Sequence, residues 1–216
     1  MLKKPRSRIA KMSVHETQLT ENGYHSIAGV DEAGRGPLAG PVFAAACILP
    51  SGVIFRGLND SKQLSPEKRE SLFKKLMNTE GVFFGLGIAT RNEIDAINIF
   101  HATMLAMQRA VLALSKVPDF LLIDGNKAPE LEIPSKTLVD GDCLSISIAA
   151  ASIIAKVLRD RHMCELDQKW PHYGFAKHKG YCTDQHLQAI EKWGPCPEHR
   201  MSFYPFSKSE LCSQLA

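Results

Sequence analysis

The sequence predicts an α/β fold, a mixed central β-sheet flanked by helices with a small C-terminal helical segment. Three observations predict it: short apolar runs with strand character come early, long helical stretches dominate later, and one of those stretches carries an alanine-rich face able to lie close to a sheet. Residues 26–30 read as a short buried strand. Residues 42–49 read as a second, closed by Pro50-Ser51-Gly52. Ser65-Pro66 offers a cap with proline at the first helical position, and Leu72, Phe73, Leu76 and Met77 form an apolar stripe, which predicts a helix over about 66–78. A third strand follows at 82–89. Asn92 is the expected cap of a long helix bearing Ile94, Ile97, Met104, Leu105, Val111 and Leu112. Residues 120–123 form another apolar strand, which ends in Asp124-Gly125. The stretch from about 145 to 170 is strongly helical, with Ala149, Ala150, Ala151 and Ala155 on its small-residue face. A last helix over about 183–193 stops at Gly194-Pro195, glycine followed by proline.

A chain of 216 residues is long enough for one well-packed domain, read here as residues 26–216, preceded by a basic arm over 1–25. Its 44% apolar and 23% charged residues are ordinary globular composition, and a net charge of +3 is too weak to announce a nucleic-acid partner. The distribution of charge says more. Lys3, Lys4, Arg6, Arg8 and Lys11 crowd the arm, read as a frayed, solvated tail, while Lys177, His178, Lys179, His199 and Arg200 recur near the other end, the first three of them as potential phosphate contacts. Six cysteines without a C-x-x-C pair or zinc spacing read as reduced thiols of a cytoplasmic protein. No apolar run approaches the roughly 20 residues that span a bilayer, so no membrane association is expected, and nothing demands more than a monomer.

The chemistry concentrates in Gly29-Val30-Asp31-Glu32-Ala33-Gly34-Arg35-Gly36. Two adjacent carboxylates at the end of an apolar strand repel each other and any anionic substrate, and make sense with a divalent cation between them. Asp124 ends a second strand, and Asp142 sits in a Gly141-Asp142 turn before the long helix. Four acids from separated segments supply hard oxygen ligands suited to Mg²⁺ or Mn²⁺. Neighbouring strand residues point to opposite faces, so Asp31 and Glu32 are expected to converge only if the strand ends or bulges there. Spacing alone leaves Asp140, Asp160 and Asp167 open as further members, and leaves open that Asp124 and Asp142 are plain turn residues.

Gly34-Arg35-Gly36 lacks the third glycine of a dinucleotide fingerprint, and no G-x-x-x-x-G-K-[ST] loop occurs. A bare backbone beside the acids remains, able to approach a sugar-phosphate, with Arg35 placed to pair with phosphate. On residues alone, a metal-dependent phosphatase or nucleotidyltransferase and a non-catalytic binding module stay open beside an enzyme that hydrolyses a phosphodiester.

Residues 29–42, Asp60-Ser61-Lys62 with Leu64-Ser65, Asp124-Gly125, Gly141-Asp142, the 149–157 run, Arg159-Asp160-Arg161, Tyr173-Gly174-Phe175 and His178-Lys179-Gly180-Tyr181 together resemble the type 2 ribonuclease H family, its bacterial ribonuclease HII branch. The resemblance spans about residues 27–205. It implies a ribonuclease H-like fold and a metal-dependent endonuclease that cuts the RNA strand of RNA–DNA hybrids and nicks 5′ of ribonucleotides embedded in duplex DNA. It implies two Mg²⁺ or Mn²⁺ ions held by Asp31, Glu32, Asp124 and Asp142. Gly34, Arg35 and Gly36 fall on the family's glycine-arginine-glycine motif, Tyr181 on its ribonucleotide-sensing tyrosine, and Lys62 on a lysine near the backbone phosphates. A 2′-hydroxyl is all that separates a ribonucleotide from its deoxy neighbours, and close backbone amides with a tyrosine can detect it. The related ribonuclease HIII type carries an extra N-terminal domain, which a motif starting near residue 29 leaves no room for. A replication-clamp partner is not readable from the sequence.

Overall fold

The computed structural model describes residues 8–53, 55–58 and 61–208. Strands β1 (Ile27–Ala33), β2 (Val42–Ile48), β3 (Phe83–Ala89), β4 (Phe120–Asp124) and β5 (Ser135–Leu138) form one sheet in the order β3-β2-β1-β4-β5. The sheet is mixed: β1 and β3 run antiparallel to β2, and β4 runs parallel to both β1 and β5. β5 escapes sequence reading because its four residues include an exposed serine and lysine.

Two long helices cover the sheet. On one face, α4 (Arg91–Leu112) packs Ala102, Ala106, Met107 and Ala110 against Ala28, Val30, Ala44 and Ala46. On the other, α6 (Ile146–Lys169) packs its alanine face against Ala45 and Cys47, joined by Phe73 and Leu76 of α3 (Pro66–Met77). The Ser65 cap of α3 accepts the Lys68 N–H at 3.4 Å. For α4 the cap is Thr90 and not Asn92. Thr90 and Glu93 form a reciprocal capping box, which satisfies two helix-end donors where Asn92 alone would satisfy one. Within α4 the backbone breaks at Asn98 (φ 64°, ψ 166°), whose Oδ1 accepts the N–H groups of Phe100 and His101 and caps the second segment.

The described part of the arm is helical and docked, contrary to the expected solvated tail; Lys3, Lys4 and Arg6 lie outside the described residues. Following α1 (Arg8–Met12), whose Met12 is buried against the α6 side of the core, α2 (Val14–Glu21) aims Glu16 at the start of α6. Glu16 accepts hydrogen bonds from Ser145 Oγ (2.6 Å), Ser147 Oγ (2.7 Å) and the Ser147 N–H (3.0 Å). A carboxylate at a helix N-terminus is favoured by the helix dipole, which gives the arm its anchor. No helix among the described residues is long and apolar enough to cross a membrane.

Candidate active site

The register of β1 against β4 places the acids. Asp119 accepts the N–H groups of His25 (2.7 Å) and Ser26 (2.9 Å), which pins the start of β1 to the start of β4. Four pairs then run from Ile27↔Phe120 to Val30↔Ile123, so the next residue on each strand is an acid, Asp31 and Asp124. Ligand atoms of Asp31, Glu32 and Asp124 lie within 4.8 Å of one another. The strand neither ends nor bulges there, contrary to the expectation: Asp31↔Ala45 and Glu32↔Ala44 pair in unbroken register. Convergence is possible because the β4 ladder stops at Val30, which opens that edge of β1. The Asp31 carboxylate is also turned along the backbone, its Oδ1 accepting the Glu32 N–H at 2.7 Å.

Asp31 is buried, and its carboxyl titrates well above the usual range, first because burial disfavours the anion, then because Glu32 and Asp124 repel it. Ser152 of α6 hydrogen-bonds this carboxyl and opposes the shift, and Ser152 in turn meets Ser61 at 2.9 Å. Three clustered carboxylates, one of them desolvated, form a hard oxygen donor set that fits a divalent cation. Asp124 accepts the Gly141 N–H at 2.7 Å, which ties β4 to the short helix α5 (Gly141–Leu144). Asp142 lies on α5, buried, and shares with Asp124 the wall of an open cleft of about 520 Å³. It stands outside the tight three-carboxylate group. Asp140 lines the same cleft, Asp160 is paired with Lys156 (2.7 Å) and Arg69 (3.4 Å), and Asp167 is not in the group.

Arg35 follows the acids with its guanidinium half exposed and 3.4 Å from Glu32 Oε1. A Cβ built on Gly36 would lie 3.6 Å from the Tyr181 ring, so these two residues form one surface, and Tyr181 is 44% exposed. Gly34 (φ +100°) leaves no room for a side chain, since its Cβ would fall 1.9 Å from Arg159 Nε. Asp60 and the side chain of Lys62 lie outside the described residues; the backbone of Lys62 belongs to a single 3₁₀ turn, Ser61–Gln63.

The C-terminal basic cluster is largely not a surface. His199 and Arg200 are fully buried and His178 nearly so, while Lys179 is half-buried with its Nζ bonding the Ala176 carbonyl at 2.6 Å; of that group only Lys177 is exposed. The helices α7 (Phe175–His178) and α8 (Asp184–Trp193) bring the histidines together around Phe175. The Cys196 N–H donates to His199 Nδ1 (2.9 Å), so the His199 proton sits on Nε2 and points at His186 Nε2 (3.0 Å). His186 Nδ1–H then donates to the Tyr181 carbonyl (2.9 Å). This chain anchors the backbone of Tyr181 and holds both rings neutral. Their pKa values fall from 6.5 to about 4, burial being the main cause. Between those pH values the unfolded chain binds more protons than the folded one, so stability is lost as pH falls from 6.5 toward 4. The urea midpoint is expected to decline across that window, and His199→Gln to reduce the slope. A slope unchanged by the replacement would count against the neutral pair.

The family model described as ribonuclease HII matches residues 28–205, and so takes in the acids, the glycine loop and Tyr181. The chain belongs to the ribonuclease HII family. Ribonucleases HII are endonucleases that cleave RNA in RNA–DNA hybrids and at ribonucleotides embedded in DNA, and this chain is a hydrolase of that kind. It is 53% identical to ribonuclease HII of Acetivibrio thermocellus over 197 residues, covering 91% of this chain and 77% of that one. It is equally 53% identical to ribonuclease HII of Chlamydia muridarum, covering 91% and 90%. Among solved structures, ribonuclease H2 of Pyrococcus horikoshii OT3 superposes with a TM-score of 0.72 at 28% identity, over 89% of this chain and all of that one. That solved ribonuclease H2 thus shares the fold of this chain.

Proposed function

We propose that Asp31, Glu32, Asp124 and Asp142 are the catalytic acids of a two-metal hydrolysis that nicks 5′ of a ribonucleotide and leaves 3′-hydroxyl and 5′-phosphate ends. The observation that carries this reading is the convergence of Asp31, Glu32 and Asp124 within 4.8 Å, beside a glycine loop that Arg35 links to Glu32. These four residues would hold Mg²⁺ or Mn²⁺. When bound, two such ions neutralise the scissile phosphate and lower the pKa of water. The chain's own groups do the rest. Asp142, on the wall of the cleft with Asp124, supplies a fourth carboxylate from a helix that the Gly141 N–H fixes to Asp124. Arg35, half exposed at the rim, pairs with a backbone phosphate, and Lys62 contacts another. The backbone of Gly34 to Gly36 and the Tyr181 ring grip the ribonucleotide, and the ring is accessible for that role.

The test is incubation with Mg²⁺ or Mn²⁺ and a DNA duplex bearing one ribonucleotide, followed by mapping of the cut. A single nick 5′ of the ribonucleotide, abolished by chelation and absent from an all-deoxy duplex, is the expected result. Cleavage without divalent metal, or competition by free nucleotides and not by hybrid duplex, would overturn it. Tyr181→Ala is expected to slow cleavage at the single ribonucleotide by about 10- to 100-fold, the scale of losing one precise positioning contact. An unchanged rate removes Tyr181 from recognition.

A further inference from the structure

The geometry points to Arg200 as a positioning residue for ribonucleotide recognition, one whose buried guanidinium sets the backbone surface that Gly34 to Gly36 present beside Tyr181. The inference rests on the reading of that surface given above.

Arg200 is fully buried, and every hydrogen bond of its guanidinium goes to a backbone carbonyl: Nη2 to Gly34 (2.7 Å), Nη1 to Arg35 (2.9 Å) and Nε to Gly40 (2.8 Å). Three acceptors in three directions match a planar fork of donors, which an ammonium group cannot reproduce. For folding alone this is a poor choice, because a buried cation carries a large desolvation cost that an apolar side chain of similar volume avoids.

The geometry of the peptide unit shows what the fork achieves. In a trans peptide the N–H points opposite to the C=O of the same unit. Drawing the carbonyls of Gly34 and Arg35 inward therefore turns the N–H groups of Arg35 and Gly36 away from Arg200. Neither N–H has a hydrogen-bond partner among the described residues. Two successive outward N–H groups form a concavity suited to an oxygen of a sugar or phosphate. Arg159, also buried, braces the far limb of the loop through Pro41 (3.1 Å) and Ala39 (3.3 Å), and reaches the Lys179 carbonyl (3.1 Å), two residues before Tyr181. The two arginines thus tie the loop and the tyrosine segment into one unit. Phe203 lies under the Arg200 guanidinium at 5.1 Å.

The test compares wild type with Arg200→Lys on a duplex bearing one ribonucleotide, with the all-deoxy duplex as a competitive inhibitor. Arg200→Lys keeps the charge and loses the fork. A fall in kcat of about 100-fold is expected, on the scale of a misplaced positioning group, with the inhibition constant of the all-deoxy duplex and the near-UV circular dichroism unchanged. Wild-type kcat in Arg200→Lys overturns the inference, as does a parallel loss of kcat and all-deoxy binding, which marks a merely structural residue. A wild-type protein that treats the two duplexes alike overturns instead the underlying reading of the loop. Should Arg200→Lys not fold, Phe203→Leu decides: it removes the ring beneath the guanidinium, and a kcat reduced by roughly fivefold is expected, about 1 kcal/mol in the barrier. Full activity in a folded Phe203→Leu overturns the proposal.

Discussion

Asp124→Asn is expected to reduce nicking at a single ribonucleotide by about a thousandfold or more, roughly 4 kcal/mol in the barrier, while the melting temperature stays level or rises. The substitution separates two roles of one side chain. Asparagine keeps an oxygen that can accept the Gly141 N–H, so the link between β4 and α5 survives. It loses the negative charge, and with it both the affinity for a divalent cation and the repulsion that raises the pKa of Asp31. Differential scanning calorimetry without metal, alongside the nicking assay, checks both halves. Wild-type nicking by this variant would remove Asp124 from the catalytic set, and a large drop in melting temperature would show that its charge serves the fold.

Gly29→Ala is expected to destabilise the protein by about 3 kcal/mol or more, a fall in melting temperature of roughly 6–12 °C for a chain of this size. A Cβ at Gly29 would stand 2.0 Å from the Ser147 carbonyl carbon and 2.2 Å from the Ile148 nitrogen. Both are helix backbone, so no side chain can move aside, and α6 must lift from β1. Ser152, on that helix, would then move off Asp31, which faces α6 as Gly29 does. Activity at a temperature where the variant remains folded should fall as well. Thermal unfolding decides the first claim, and a variant that melts with the wild type would refute it.

Much of the arrangement was legible from the residues. Apolar runs of the right length located four of the five strands, and the alanine face of α6 was readable because small residues are what a helix needs to approach a sheet closely. The acid pair of Asp31 and Glu32 stood out because solvation does not explain two carboxylates at the end of an apolar strand. What stayed hidden depends on non-local contacts. The convergence of Asp31, Glu32 and Asp124 is set by the register with β4, which Asp119 fixes from the far end of both strands. The burial of His199 and Arg200 stayed hidden because nothing in a local window says that a cation will be enclosed by backbone carbonyls. Arg159 did carry a signal: it falls four residues after Ala155 on the buried stripe of α6, a position where an arginine needs buried acceptors.

The parallel pairing of β1 with β4 also governs when this protein can exist as an enzyme. β2, α3, β3 and α4 intervene along the chain, so on the ribosome Glu32 emerges well before Asp124. Through that interval the nascent chain has Asp31 and Glu32 and no partner strand to bring Asp124 beside them. The like charges are therefore brought together only after much of the apolar core has been synthesised and can hold them.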